Sequence, residues 1–172
     1  MTRHAAPVHS PRFHKLSYHG HLQLCISSLV GNISPTVDEL MGFIGKFRAR
    51  DGSELNVEIA LREALANAII HGNKLNANRH VYVACRCSAD GEIRIRVQDE
   101  GDGFSTADIS DPTIQEDLLC TSGRGIHLMD SLMDEVKFLA CGSIVQLRMA
   151  SNIPKPASRP SAQLGRSGPN RA

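Results

Sequence analysis

Val57-Glu58-Ile59-Ala60-Leu61-Arg62-Glu63-Ala64-Leu65-Ala66-Asn67-Ala68-Ile69-Ile70-His71-Gly72 reads as one helix that carries polar groups where a buried element should not. Apolar residues occupy nearly every side of it, so the pattern predicts a largely buried helix. Glu63 and Asn67 are i, i+4 neighbours, and His71 lies one step further along the same stripe. A carboxylate and an amide buried there cost several kcal/mol unless something compensates, the carboxylate more than the amide. Two explanations fit. Either the pair sits at a helix edge, wet or bonded internally, or it faces a polar ligand. A carboxylate beside an amide oxygen suits hydrated Mg²⁺, which prefers oxygen ligands and keeps several waters. His71 reads as structural.

Outward from this helix the pattern alternates between helix and strand periods. Leu22 to Val30 is predicted as a strand. Ser34-Pro35 starts a helix that leads to Phe47, with a capping side chain before a first-turn proline. Asp51-Gly52 is a turn, and Ser53 is placed to cap the helix quoted above, which runs through His71. Arg79 to Cys87 puts Val81, Val83, Cys85 and Cys87 on one face, and Glu92 to Gln98 alternates Ile93, Ile95 and Val97 with charged residues. Ala89-Asp90-Gly91 joins these two strands as a hairpin. After Gly123 a helix turns Ile126, Met129, Leu132 and Met133 inward, and strands Glu135 to Ala140 and Ser143 to Met149 close the chain around Cys141-Gly142. Hairpin-paired strands with helices elsewhere imply an α+β two-layer sandwich.

Two further stretches carry chemistry. Val97-Gln98-Asp99-Glu100-Gly101-Asp102-Gly103-Phe104 ends a strand in Asp-x-Gly-x-Gly. It sets a carboxylate at the sheet edge, with glycines that let a ligand approach the backbone. An acidic turn explains it equally well, but Asp99 could also accept a hydrogen bond from an exocyclic amine. Thr121-Ser122-Gly123-Arg124-Gly125-Ile126-His127-Leu128-Met129 opens a helix with two glycines. Free N–H groups and the helix dipole there favour phosphate, although close helix packing would use the same glycines. The long, weakly patterned stretch from Ser105 to Ser122 reads as a lid.

Composition narrows the function. Lys and Arg number 19 against 18 Asp and Glu, which argues against a nucleic-acid binder. No apolar run reaches the roughly 18 residues of a membrane helix, and there is no signal-peptide core. The five cysteines form no CxxC pair and read as reduced, so the expected location is cytoplasmic. Residues 1–20 and 151–172 read as disordered tails around a domain at 21–150, the second tail being rich in proline and basic residues. His4, His9, His14 and His19 recur every five residues, a spacing that fits one face of neither a helix nor a strand.

Taken in order, the Glu63-x-x-x-Asn67 helix, the Asp99-x-Gly101-x-Gly103 strand end and the Gly123-x-Gly125 helix resemble the N, G1 and G2 boxes of GHKL (histidine-kinase-like) ATPases. The resemblance covers about residues 22–149. Within that superfamily the chain is most similar to bacterial anti-sigma-factor serine/threonine kinases, through Glu63 to Ala68 with His71-Gly72, Gly123 to Ile126, and Leu128-Met129 with Leu132 to Val136. The resemblance implies a Bergerat-type fold with a mixed, mostly antiparallel sheet, helices on one face, and ATP and Mg²⁺ as cofactors. It implies Glu63 as general base, Asn67 as Mg²⁺ ligand and Asp99 as reader of the adenine amine. Gly101 and Gly103 would shape the adenine pocket, Gly123, Arg124 and Gly125 would cradle phosphates, and Ser143 would support the Asp99 contact. Some of these kinases carry a basic residue before the G2 glycines, where this chain has Thr121-Ser122. The implied partners are a sigma factor and a small anti-anti-sigma protein that is phosphorylated, with a homodimer as the assembly. The alternative is a partner switch of the same fold that binds ATP without transferring phosphate. A complete sensor histidine kinase is disfavoured, because about 20 residues before the domain are too few for a dimerising helical hairpin.

Overall fold

The computed structural model describes residues 14–18, 20–48, 52–103 and 123–151. Six strands, β1 (His14–Tyr18), β2 (His21–Ser27), β3 (His80–Cys87), β4 (Ile93–Asp99), β5 (Glu135–Leu139) and β6 (Ile144–Met149), form one sheet. Across it they run β1-β2-β3-β4-β6-β5. Every ladder is antiparallel, so the sheet expected to be mixed is antiparallel throughout the described residues.

The strand period decides which face is covered. Leu22, Leu24 and Ile26 of β2, Val81, Val83, Cys85 and Cys87 of β3, Ile93, Ile95 and Val97 of β4, and Val145, Leu147 and Met149 of β6 are buried on one side. Helices α1 (Ile33–Ile44), α2 (Glu54–Ala66) and α3 (Gly123–Leu132) pack there, with α2 between the other two. The α2 stripe of Val57, Ala60, Leu61, Ala64 and Leu65 is buried and continues into Ala68 and Ile69. Burying Leu61, Leu65 and Ile69 stabilises the sandwich by roughly 1.5–3 kcal/mol each. The opposite sheet face carries Arg86, Arg94 and Arg96 to solvent. The result is the α+β two-layer sandwich expected from the pattern, with helices on one face. The Cys85 and Cys87 sulfurs lie 4.0 Å apart as free thiols.

Local boundaries differ where tertiary bonds outweigh the periodic signal. The strand expected to reach Val30 stops at Ser27, because Leu29 N–H turns back to the Ser27 carbonyl at 2.8 Å and Val30–Asn32 forms a 3₁₀ turn. The first helix begins at Ile33 rather than Ser34-Pro35 and ends at Ile44, short of Phe47. Pro35 is tolerated inside that first turn because its missing N–H would have no intrahelical partner. Ser53 stands at the N-cap of α2 without a side-chain capping bond. The helix is less buried than expected: Leu55 and Ile70 are exposed and Glu63 and Asn67 half-buried. From Asn67 to Gly72 it widens into a π-helix, and the Asn73 N–H reaches back to the Ala68 carbonyl at 2.8 Å. Part of the stretch read as a disordered tail is strand: His14–Tyr18 pairs antiparallel with β2. An edge ladder is made by main-chain groups, so it needs no apolar period.

Candidate nucleotide site

The alternation that buries Ile93, Ile95 and Val97 also decides where Asp99 goes. It is the next residue on the inner face of β4, and it is only 7% exposed. It lies at the C-terminal end of a central strand, not at a lateral edge of the sheet. Its N–H bonds the Ser143 carbonyl at 3.0 Å, and its Oδ1 accepts the Gly101 N–H at 2.8 Å. Burial pushes the carboxyl up from its ordinary value, against the Gly101 hydrogen bond, its own amide and the charge of Arg79.

Glycines let main chain close over this carboxylate. A Cβ on Gly72 would sit 2.6 Å from Asp99 Oδ1, and one on Gly101 would sit 2.7 Å from that atom and press into the Gly72 carbonyl. A Cβ on Gly103, which has φ +70°, would lie 2.5 Å from the Cys141 carbonyl in the β5–β6 turn. The π turn, the β4 end and that turn therefore border a cleft. Asn67, His71, Asp99, Gly103 and Ser143 line it together with Ala68, Val97, Ile126, Phe138 and Val145. Apolar walls with one buried acceptor at the floor suit a flat ring that offers a hydrogen-bond donor.

A second cluster stands beside the cleft. A Cβ on Gly125 would lie 2.7 Å from Glu63 Oε2 and 3.7 Å from Asn67 Nδ2, so the first turn of α3 sits directly against Glu63 of α2 and Asn67 at the start of the π turn. The structure thus brings together Glu63, Asn67 and Gly125, and separately Asp99, Gly101, Gly103 and Ser143, with Asn67 lining the cleft between them. The Ser143 hydroxyl donates to the Ala140 carbonyl at 2.9 Å, so its link to Asp99 runs through the main chain. Gly123 and Arg124 occupy the first two positions of α3. The Arg124 side chain, Thr121-Ser122 and the expected lid lie outside the described residues. So do His4, His9 and His19 of the histidine series. Two oxygen-bearing side chains, Glu63 and Asn67, fit a Mg²⁺ held largely by water and phosphate. Among the described residues no group of three His, Cys, Asp or Glu could hold a metal by protein ligands alone. No described helix is long and apolar enough to cross a membrane.

Residues 26–149 match the family described as the histidine kinase-like ATPase domain. The chain belongs to that family. Such an ATPase domain binds ATP. Its relatives include the anti-sigma F factor of Heyndrickxia coagulans, 31% identical over 131 residues that cover 72% of this chain and 78% of the relative. The anti-sigma F factor of Priestia megaterium is 29% identical over 118 residues, 67% of this chain and 70% of that one. That of Clostridium acetobutylicum is 30% identical over 118 residues, 67% and 71% of the two chains. This histidine kinase-like domain therefore groups with the anti-sigma factor branch.

Sequence reasoning passed over Asn73. Its side chain is fully buried and bonds three strand ends. No periodic signal marks it, because Gly72-Asn73-Lys74-Leu75-Asn76 is a mostly polar stretch beyond the apolar stripe of the helix.

Proposed function

We propose that this histidine kinase-like domain is an ATP-dependent serine/threonine protein kinase acting as an anti-sigma factor. It would bind a sigma factor and phosphorylate a small anti-anti-sigma protein, as a cytoplasmic homodimer that switches partners. The observation that carries the reading is the approach of Glu63 and Asn67 to Gly125 beside a cleft floored by Asp99. In this reading Asp99 accepts the adenine amine while Ala68, Val97 and Ile126 flank the ring. N–H groups at the start of α3, with Arg124, hold phosphate oxygens. Asn67 would ligate Mg²⁺ through its amide oxygen, and bound Mg²⁺ supplies charge neutralisation on the phosphates. Glu63 takes the proton of the substrate hydroxyl on a carboxylate oxygen. The serine oxygen then bonds to the γ-phosphorus, and the bond to the bridging oxygen breaks to leave ADP.

Glu63→Gln keeps the shape but cannot accept the proton, so ATP binding should stay near normal. Transfer of labelled γ-phosphate to a purified anti-anti-sigma protein should fall about 10²–10⁴-fold. A wild type that binds ATP tightly and transfers nothing would leave the non-transferring partner switch in place of the kinase. A Glu63→Gln variant as fast as wild type would remove Glu63 from the chemistry.

A further inference from the structure

We propose that Asn73 is a positioning residue that sets the end of β4, and with it Asp99, relative to the helix carrying Glu63 and Asn67. The inference rests on the reading of Asp99 as the nucleotide acceptor. Asn73 has no exposed surface. Its amide nitrogen donates to the Ser28 hydroxyl at 2.6 Å and to the His80 carbonyl at 2.8 Å. Its amide oxygen accepts the Glu100 N–H at 2.9 Å. One side chain thus gathers the end of β2, the start of β3 and the residue after Asp99, and its own N–H closes the π turn on Ala68.

The consequence for Asp99 follows from what else holds it. Within its carboxylate's reach lie the Gly101 N–H and the Gly72 main chain, and its own amide bonds the Ser143 carbonyl. The Glu100 side chain bonds β3 instead, through the His80 N–H and the Tyr82 hydroxyl, both at 2.8 Å. Asn73 therefore makes the side-chain bond that joins the strand end to the π turn. The extra residue of that turn is what delivers Asn73 there: π-type pairing widens the helix by one residue per turn, and an α-helical Asn67–Gly72 would rotate Asn73 off the strand ends. Asn67 begins the same turn. Position 73 thus links the metal-ligating and base-reading ends of the cleft.

The test compares Asn73→Ala with Asn73→Asp, which keeps an acceptor for the Glu100 N–H but loses both donors. Both variants should melt lower than wild type. Only Asn73→Ala should lose ATP affinity, about ten- to a hundredfold, and narrow the preference for ATP over GTP, with Asn73→Asp retaining most of both. In nucleotide-free protein, hydrogen exchange at the Glu100 amide should accelerate at least tenfold in Asn73→Ala and stay slow in Asn73→Asp. Wild-type nucleotide preference and wild-type Glu100 exchange in Asn73→Ala would overturn the proposal and leave Asn73 a packing residue. Equal loss in both variants would overturn it too, since the acceptor would not be what acts. If Asn73→Ala does not fold, Asn73→Ser takes its place with the same expectations. If wild type binds neither nucleotide, the reading of Asp99 falls, and Glu100 exchange still decides whether Asn73 holds the strand end.

Discussion

Asp99 carries a cost that the nucleotide-free fold does not recover. Its carboxyl is held up from the ordinary 3.8 by burial, so in that state the native protein grips a proton that the unfolded chain has already released. As pH rises from about 4 through the higher native value, stability is lost, because the unfolded state is the one that ionises freely. Asp99→Asn keeps an acceptor for the Gly101 N–H and has nothing to ionise. We expect its melting temperature without nucleotide to exceed that of wild type, by a margin that grows from pH 4 to neutral. A constant margin across that range would assign the gain to something other than the carboxyl. The same variant should bind ATP about ten- to a hundredfold more weakly by calorimetry, the cost of losing a charge-assisted hydrogen bond in a desolvated pocket. Asn67 gives a complementary prediction. Asn67→Ala should impair Mg·ATP binding more than metal-free ADP binding, and equal affinities for both would return Asn67 to the role of a helix amide. The residue types at 63, 67 and 99 were legible because each is polar in an apolar periodic setting. Asn73 was not, since the turn that buries it is non-periodic.

At the scale of elements, the glycines separate two kinds of close approach. A Cβ on Gly101 would meet fixed main chain at Gly72 as well as the Asp99 carboxylate. Gly101→Ala should therefore destabilise the fold by about 1–3 kcal/mol, the usual range for overpacking, which a denaturant titration would show. A Cβ on Gly125 would meet the end of the Glu63 side chain, which can swing aside. Gly125→Ala should fold with near-wild-type stability yet lose phosphate transfer, because Glu63 is pushed from its place. Matching stability losses in the two variants would contradict this division. The period of α2 gave away the helix but not its last turn. Whether the chain closes i→i+4 or i→i+5 bonds depends on what lies beyond Gly72, here Asn73 reaching β4 and Lys74 and Leu75 in left-handed conformations with φ of 54° and 57°. The start of α1 was misplaced for a related reason: Ser34-Pro35 is a good local signal, but the bonds of Leu29 and Asn32 to Ser27 set where the chain leaves β2.

For the whole molecule, β1 is the element that local reading overlooked, and it lies at one edge of the sheet. Removing residues 1–13 should leave stability and ATP binding intact. Removing 1–18 strips a ladder from β2 and uncovers its main-chain groups, so that variant should melt lower and self-associate more readily in light scattering. Identical behaviour of the two truncations would show that β1 contributes little. The sequence alone determined the periodic parts: the two-layer α+β class, the β3–β4 and β5–β6 hairpins, the inward faces of the strands, and the polar residues that those faces do not explain. These are consequences of side-chain period, which neighbouring residues set among themselves. Only the tertiary structure decided that β6 lies between β4 and β5, that Gly125 abuts Glu63, that Gly72 closes over Asp99, and that the second helix ends in a π turn. Those follow from contacts between segments distant in the chain, where packing and the need to pair every buried polar group select one arrangement among several that the local pattern allows.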